Sequence, residues 1–228
     1  YVAAGVLVHN KTQVPTLRRP TPTPNAHSYF NKGKDYYNDG KYQQAINEFT
    51  TAIRLDADYA SNYAWRGSAY NRLGQYQRAI QDYDQAIRLK PTALRYSNRG
   101  IAHHYLAQYE RAIQDYDKAI QLDPDFANAY NTRGWAYSEL GEYQRAIQDL
   151  DKSLQLQPSR AAYNNRGIAY SSLGQYQRAI QDFDKAIELG PNNANAYNNR
   201  GSAYHALGEI QRAIQDYDKA IQLDPNNA

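Results

Sequence analysis

Residues 127–159 read ANAYNTRGWAYSELGEYQRAIQDLDKSLQLQPS. Tyr130, Gly134 and Tyr137 recur at i, i+4 and i+7, which places them on one face of a helix. Leu140-Gly141 ends that helix, the glycine supplying the left-handed backbone of a helix stop. A second apolar stripe follows through Tyr143, Ala146, Ile147, Leu150, Ser153 and Leu154, and Pro158 terminates it. The stretch therefore predicts two antiparallel helices joined by a tight turn. Gly134 and Ala146 are small because the two backbones must approach closely there. One such hairpin cannot bury its apolar face alone, so it needs neighbours of the same kind.

The neighbours are present. Glycines fall at Gly33, Gly67, Gly100, Gly134, Gly167 and Gly201, with spacings of 34, 33, 34, 33 and 34. A fixed period near 34 marks a stacked array of hairpins. Six units result: 26–59, 60–92, 93–126, 127–159, 160–193 and 194–227. In the fifth, the order Tyr163, Gly167, Tyr170, Ala179, Phe183, Ala186 and Pro191 resembles the tetratricopeptide repeat family, as do the other five copies. Departures are few. Ala57 stands for the terminating Pro of the first unit, Ala107 for the helix-stopping Gly of the third, and His103 and Ile210 each for a core Tyr. Ala107 is expected to be strained if its φ is positive. The resemblance implies an all-α, right-handed superhelical solenoid preceded by an extended tail.

It also implies a concave surface lined by the first helix of each unit. The positions opposite the Tyr–Gly–Tyr stripe face it. In the fourth unit these are Asn128, Asn131, Thr132 and Trp135. The matching sets are His27, Phe30, Asn31 and Lys34; Ser61, Ala64, Trp65 and Ser68; Leu94, Ser97, Asn98 and Ile101; Ala161, Asn164, Asn165 and Ile168; Asn195, Asn198, Asn199 and Ser202. Asn31, Asn98, Asn165 and Asn199 each lie two before a repeat glycine. An amide both donates and accepts, so such a row suits the backbone of an extended peptide. It resembles the asparagine ladder of long superhelical members that grip extended chains. The alternative is local tethering of the repeat itself. Trp65 and Trp135, the two tryptophans, are expected to look into the same groove as apolar anchors. Capture of a C-terminal carboxylate by the family's Lys/Asn/Arg clamp is doubtful, because beyond Lys34 and Arg72 the third unit adds no basic residue on that face. The groove reads as uncharged, favouring a neutral peptide with modest salt dependence.

Composition narrows the function classes. Lys11, Arg18 and Arg19 give residues 1–25 a charge of +3. The 26 basic residues less these three leave 23 against 23 acidic ones, so the repeats offer no overall field for nucleic acid. No apolar run approaches the ~20 residues of a membrane helix. There is no Cys, hence no disulfide, thiolate zinc site or Cys nucleophile. Neither metal nor cofactor is expected. Of 23 Tyr, all but Tyr1, Tyr37, Tyr59 and Tyr105 fall on recurring aromatic positions and read as packing residues. The pairs Asp82/Asp84, Asp115/Asp117 and Asp216/Asp218 read as a solvated outer face, with Arg78 and Arg111 four residues before Asp82 and Asp115. His103 and His104 are adjacent and point different ways, so a metal site there is not expected. Arg66, Arg99, Arg133, Arg166 and Arg200, one before each glycine, are expected along the seams between units, stems packed and heads wet. No catalytic constellation emerges.

The termini carry a different signal. Residues 1–10, YVAAGVLVHN, resemble the last strand of a hedgehog/intein (Hint) autoprocessing module. In that family the terminal Asn cyclises and breaks the next peptide bond while the preceding His donates a proton. The resemblance implies cleavage after Asn10 assisted by His9, and no splicing, because Lys11 is not a nucleophile. It implies a released C-terminal portion, as in bacterial polymorphic toxins and related secreted proteins. Residues 11–25, rich in Pro and Thr, read as a stiff basic linker. The chain has no Met, even at residue 1, so a piece of a longer protein is expected. At the other end the face of Ala213, Tyr217 and Ala220 is expected to be exposed, inviting further repeats or end-to-end self-association. The overall expectation is a non-catalytic scaffold that binds an extended segment of a protein partner. It would be cytoplasmic if the repeats act alone, and secreted or at the cell surface if the Hint resemblance is real.

Overall fold

A computed structural model describes residues 25–225. His9, Asn10 and the linker before Asn25 lie outside the described residues. Twelve helices follow: α1 (Ala26–Asn38), α2 (Tyr42–Leu55), α3 (Ala60–Arg72), α4 (Tyr76–Leu89), α5 (Ala93–Tyr105), α6 (Tyr109–Leu122), α7 (Ala127–Glu139), α8 (Tyr143–Leu156), α9 (Arg160–Ser172), α10 (Tyr176–Glu188), α11 (Ala194–Ala206) and α12 (Ile210–Leu223). Consecutive helices pair as six hairpins. The second helix of each packs on the first helix of the next, and successive first helices touch from α1 to α11. The result is an all-α superhelical solenoid in which each unit contacts only its neighbours.

Each hairpin turn is built alike. Gly40, Gly74, Gly141, Gly174 and Gly208 have φ between 69° and 78°. The next residue's N–H reaches back to a carbonyl five residues earlier, as Gln75 to Tyr70 and Glu142 to Tyr137 at 2.9 Å. Ala107 occupies this conformation with φ 55°, and Gln108 N–H still reaches His103 at 2.9 Å. A Cβ in left-handed backbone is strained, so Ala107→Gly is expected to stabilise the array by about 1 kcal/mol. An unchanged or lower Tm in thermal melts would show that the turn carries no strain.

The core repeats with the turns. A Cβ on Gly100 would lie 2.6 Å from Tyr116 Cε1, and one on Gly134 would lie 2.8 Å from Leu150 Cγ and 3.1 Å from the Ala146 carbonyl. The repeat glycine is therefore the hole into which the second helix inserts its aromatic or Leu. Two residues after that glycine, Ala69, Ala102, Ala136, Ala169 and Ala203 are buried in clusters with the preceding unit. In the first unit this position is Asp35, and it is exposed. At the opposite end the exposed apolar residues are Ile210, Ile214 and Ile221. Ala213, expected to be exposed, is fully buried, and Tyr217 and Ala220 are half-buried, because α11 already covers one side of α12.

The seams correct the reading of the acidic pairs. Asp82, Asp115, Asp149, Asp182 and Asp216 are buried and do not form a solvated face. Each accepts two hydrogen bonds from the arginine sixteen residues earlier; Arg166, for example, donates Nε to Asp182 at 2.8 Å and Nη2 at 2.6 Å. Such a planar fork matches a carboxylate. The remaining Nη1 crosses to the previous unit: Arg99 to Asp84, Arg133 to Asp117, Arg166 to Asp151 and Arg200 to Asp184, all at 2.6 Å. Arg78 and Arg111 instead bond the amides of Gln75 and Gln108. The i, i+4 spacing suggested helix-surface pairs, but the first Asp of each pair points inward at a charge sixteen residues away. Burial raises the Asp82 carboxyl against the opposing pull of Arg66.

Candidate groove on the concave face

The first helices α1, α3, α5, α7, α9 and α11 carry the groove residues. Trp65, Asn98, Asn131, Trp135, Asn164 and Asn165 are half-buried along it, while Asn31, Asn128 and Asn198 are exposed and Asn199 is half-buried. Three positions assigned to the groove instead serve the core. Phe30 packs against Phe49 and Tyr59, Ser97 is fully buried, and Thr132 donates back to the Asn128 carbonyl at 2.9 Å.

The amides are not loose. Asn165 Nδ2 donates to Asn131 Oδ1, and Asn199 Nδ2 to Asn164 Oδ1, both at 3.1 Å. Asn165 and Asn199 therefore link successive units, each through one amide donor to an amide oxygen of the unit before. Trp135 lies over His104 with ring centroids 3.6 Å apart, and its Nε1 donates to Glu139 at 3.0 Å. Trp65 meets Tyr37 edge-on at 5.2 Å and Phe49 at 6.4 Å. Both tryptophans thus have one face packed and one toward the groove. His103 turns the other way, bonding Gln108 at 2.8 Å.

Three hollows mark the floor. One of about 520 Å³ lies beside Trp65, Leu94, Arg95 and Asn98. A second of about 500 Å³ shares Tyr37, Ser68 and Asn98 with it and adds Arg72 and Tyr105. A third of about 330 Å³ is bounded by Trp135, Glu139, Asn165 and Ile168. Tyr37, Tyr105, Ser138, Glu139 and Ser172 were missed in the sequence. They lie four or five residues after a repeat glycine, where the groove-facing stripe runs on for one more helical turn. Tyr37 and Tyr105 had the signal, being aromatic outside the recurring positions. The uncharged reading also needs correction: Lys34 and Arg72 are joined by Arg95 of the third unit, so the half of the groove formed by α1, α3 and α5 is cationic.

Burial lowers His104 from the usual 6.5 to about 4. The folded state therefore holds it neutral while the unfolded chain takes up a proton below pH 6.5. Stability from this group is fully present above pH 6.5 and is lost as pH falls toward 4, amounting to roughly 2 kcal/mol by pH 5. Urea midpoints at pH 7 and pH 5 should diverge less for His104→Asn than for the parent. Equal divergence would remove this site from the acid response.

Among the described residues no group of three or more His, Asp or Glu is placed to hold a metal ion, and no helix is long and apolar enough to cross a membrane. No curated protein matches the sequence. The chain superposes on solved repeat structures that show the same fold. A chain of the APC/C hetero-tetramer Cut9–Hcn1 gives a TM-score of 0.82 at 24% identity over 89% of this chain, which spans only 40% of that protein. PilW, a type IV pilus biogenesis factor, gives 0.80 at 22% identity, covering 89% of this chain and 94% of that one. YrrB, described as a repeat protein with an unusual peptide-binding site, gives 0.58 at 23% identity over 78% and 93%. Tetratricopeptide-repeat family models match residues 30–93 and 164–228, with further matches at 102–141 and 127–160. With more than half of the sequence covered, and the hairpins, turn glycines and packing as described, the chain belongs to the tetratricopeptide repeat family, whose fold is that of a protein-interaction scaffold.

Proposed function

We propose that this array is a non-catalytic scaffold whose concave groove holds an extended segment of another protein. The observation that carries the reading is a run of groove-lining amides and tryptophans on the successive first helices α3, α5, α7 and α9. Trp65, Asn98, Trp135 and Asn165 line successive hollows, each with polar or aromatic surface left over after its packing contacts are made. Side-chain amides at the ladder position of four of the six units match a ligand read through its backbone, and the tryptophans match occasional apolar side chains.

Replacing Asn98, Asn165 and Asn199 together by Ala should reduce capture of the native partner from host lysate by about tenfold, the loss of roughly one hydrogen bond's worth of affinity at more than one site. Far-UV circular dichroism should stay that of the folded array. Undiminished capture would reduce the row to an inter-unit tether.

A further inference from the structure

The repeat pattern is broken most sharply in one place. Trp65 occupies a ladder position that is Asn in four other units. Leu94 is 57% exposed where the equivalent residues are His27, Ser61, Asn128, Ala161 and Asn195. Arg95 stands where Ala129, Ala162 and Ala196 are fully buried. Trp65 packs one face on the first unit's core, but Leu94 and Arg95 depart from what packing asks for with no gain to the core, which points to a use outside it. All three departures line the same hollow of about 520 Å³.

The charges around it are unbalanced. Every seam arginine is forked onto a buried aspartate, yet none of Lys34, Arg72 and Arg95 forms an ion pair among the described residues. Lys34 Nζ sits 5.6 Å from the centre of the Trp65 ring. Arg72 Nε donates to the Tyr37 hydroxyl at 3.4 Å. The Arg95 guanidinium donates to the Lys90 carbonyl and, at 3.5 Å, to Ser61 Oγ. Burial lowers Arg95 with no carboxylate to offset it. Within the groove the acid in contact with a tryptophan is Glu139, two units further on.

Resting on the groove reading above, we infer that the trough formed by α1, α3 and α5 takes an acidic segment of a partner protein: one apolar side chain against Trp65 and Leu94, flanked by Asp or Glu side-chain carboxylates that pair with Lys34, Arg72 and Arg95. The occupant is an internal stretch, because the cations are spread around the hollow and do not converge on one point as a chain terminus requires. The partly buried Arg95 guanidinium, without a counter-ion, gains most from such a ligand, and the charges of all three cations steer its approach.

The test uses the full chain and a short amidated, fluorescein-labelled peptide with one Leu among Asp and Glu, next to its Asn/Gln analogue and the same acidic peptide with a free C-terminus. The acidic amidated peptide should bind about tenfold tighter than the neutral one at ~50 mM salt, the gap closing at ~300 mM. The free C-terminus should add little. Arg95→Ala restores the residue that other units carry, so it should leave Tm unchanged or higher while abolishing most of the preference. Arg72→Gln should weaken it several-fold and Arg178→Gln on α10 not at all. Equal binding of acidic and neutral peptides would overturn this inference and leave the groove reading standing. Preference governed by the free terminus would replace it with terminal capture. Binding of neither would overturn both.

Discussion

Arg166→Met is expected to destabilise the array by about 3 kcal/mol, because it strands the Asp182 carboxylate, whose side chain is only 6% exposed, without its fork. The second carboxylate released, Asp151, is half exposed and its loss costs little. The two contributions separate experimentally. Asp151→Ala should move the urea midpoint only slightly, whereas Arg166→Met should move it strongly. Adding Asp182→Leu to Arg166→Met should recover most of the loss, since the penalty lies in the buried charge and not in the absent pair. Arg166→Lys should recover only part, because a point charge cannot supply two parallel donors. If Arg166→Met proved as mild as Asp151→Ala, the seam arginines would be surface decoration after all.

The second large effect is expected at Phe183. Its ring is 1% exposed, fills the space over Gly167, and packs with Ala179 and with Ala203 of the next unit. Phe183→Ala should cost about 4 kcal/mol through lost transfer energy and the cavity left behind. Because neighbours couple only to neighbours, the damage should stay local: α1 to α8 remain folded while α9 to α12 melt at lower denaturant. A biphasic transition in circular dichroism is the signature. One cooperative transition displaced as a whole would mean that coupling extends along the entire solenoid.

The hairpins were legible because a period of 33 or 34 leaves little freedom: one glycine, one aromatic and one turn per unit determine where each helix begins and what it buries. Ala107 could be picked out for the same reason, as the residue standing where five glycines adopt positive φ. The groove was half legible. Its ladder and tryptophans follow from helical spacing, but the spacing was stopped one turn early, which omitted Tyr37, Tyr105 and Glu139. The acidic pairs misled because spacing within one helix describes only that helix. Asp115 finds its charge on α5, and nothing local to α6 signals it. Arg95 was readable in principle, being a cation in a column otherwise filled by Ser, Asn and Ala, yet a helix-face argument treats it as an inner position and looks no further.

Asp35 has a bearing on how copies of this molecule behave in solution. Wherever one unit follows another, an alanine methyl enters the preceding hairpin, and at the leading edge a carboxylate occupies that station. A second molecule sliding onto the isoleucines of α12 by its own α1 would have to entomb that ion without a partner, at a cost of several kcal/mol. A stack of identical repeats would thus set the Asp35 carboxylate of one copy against the bare Ile214 and Ile221 of another.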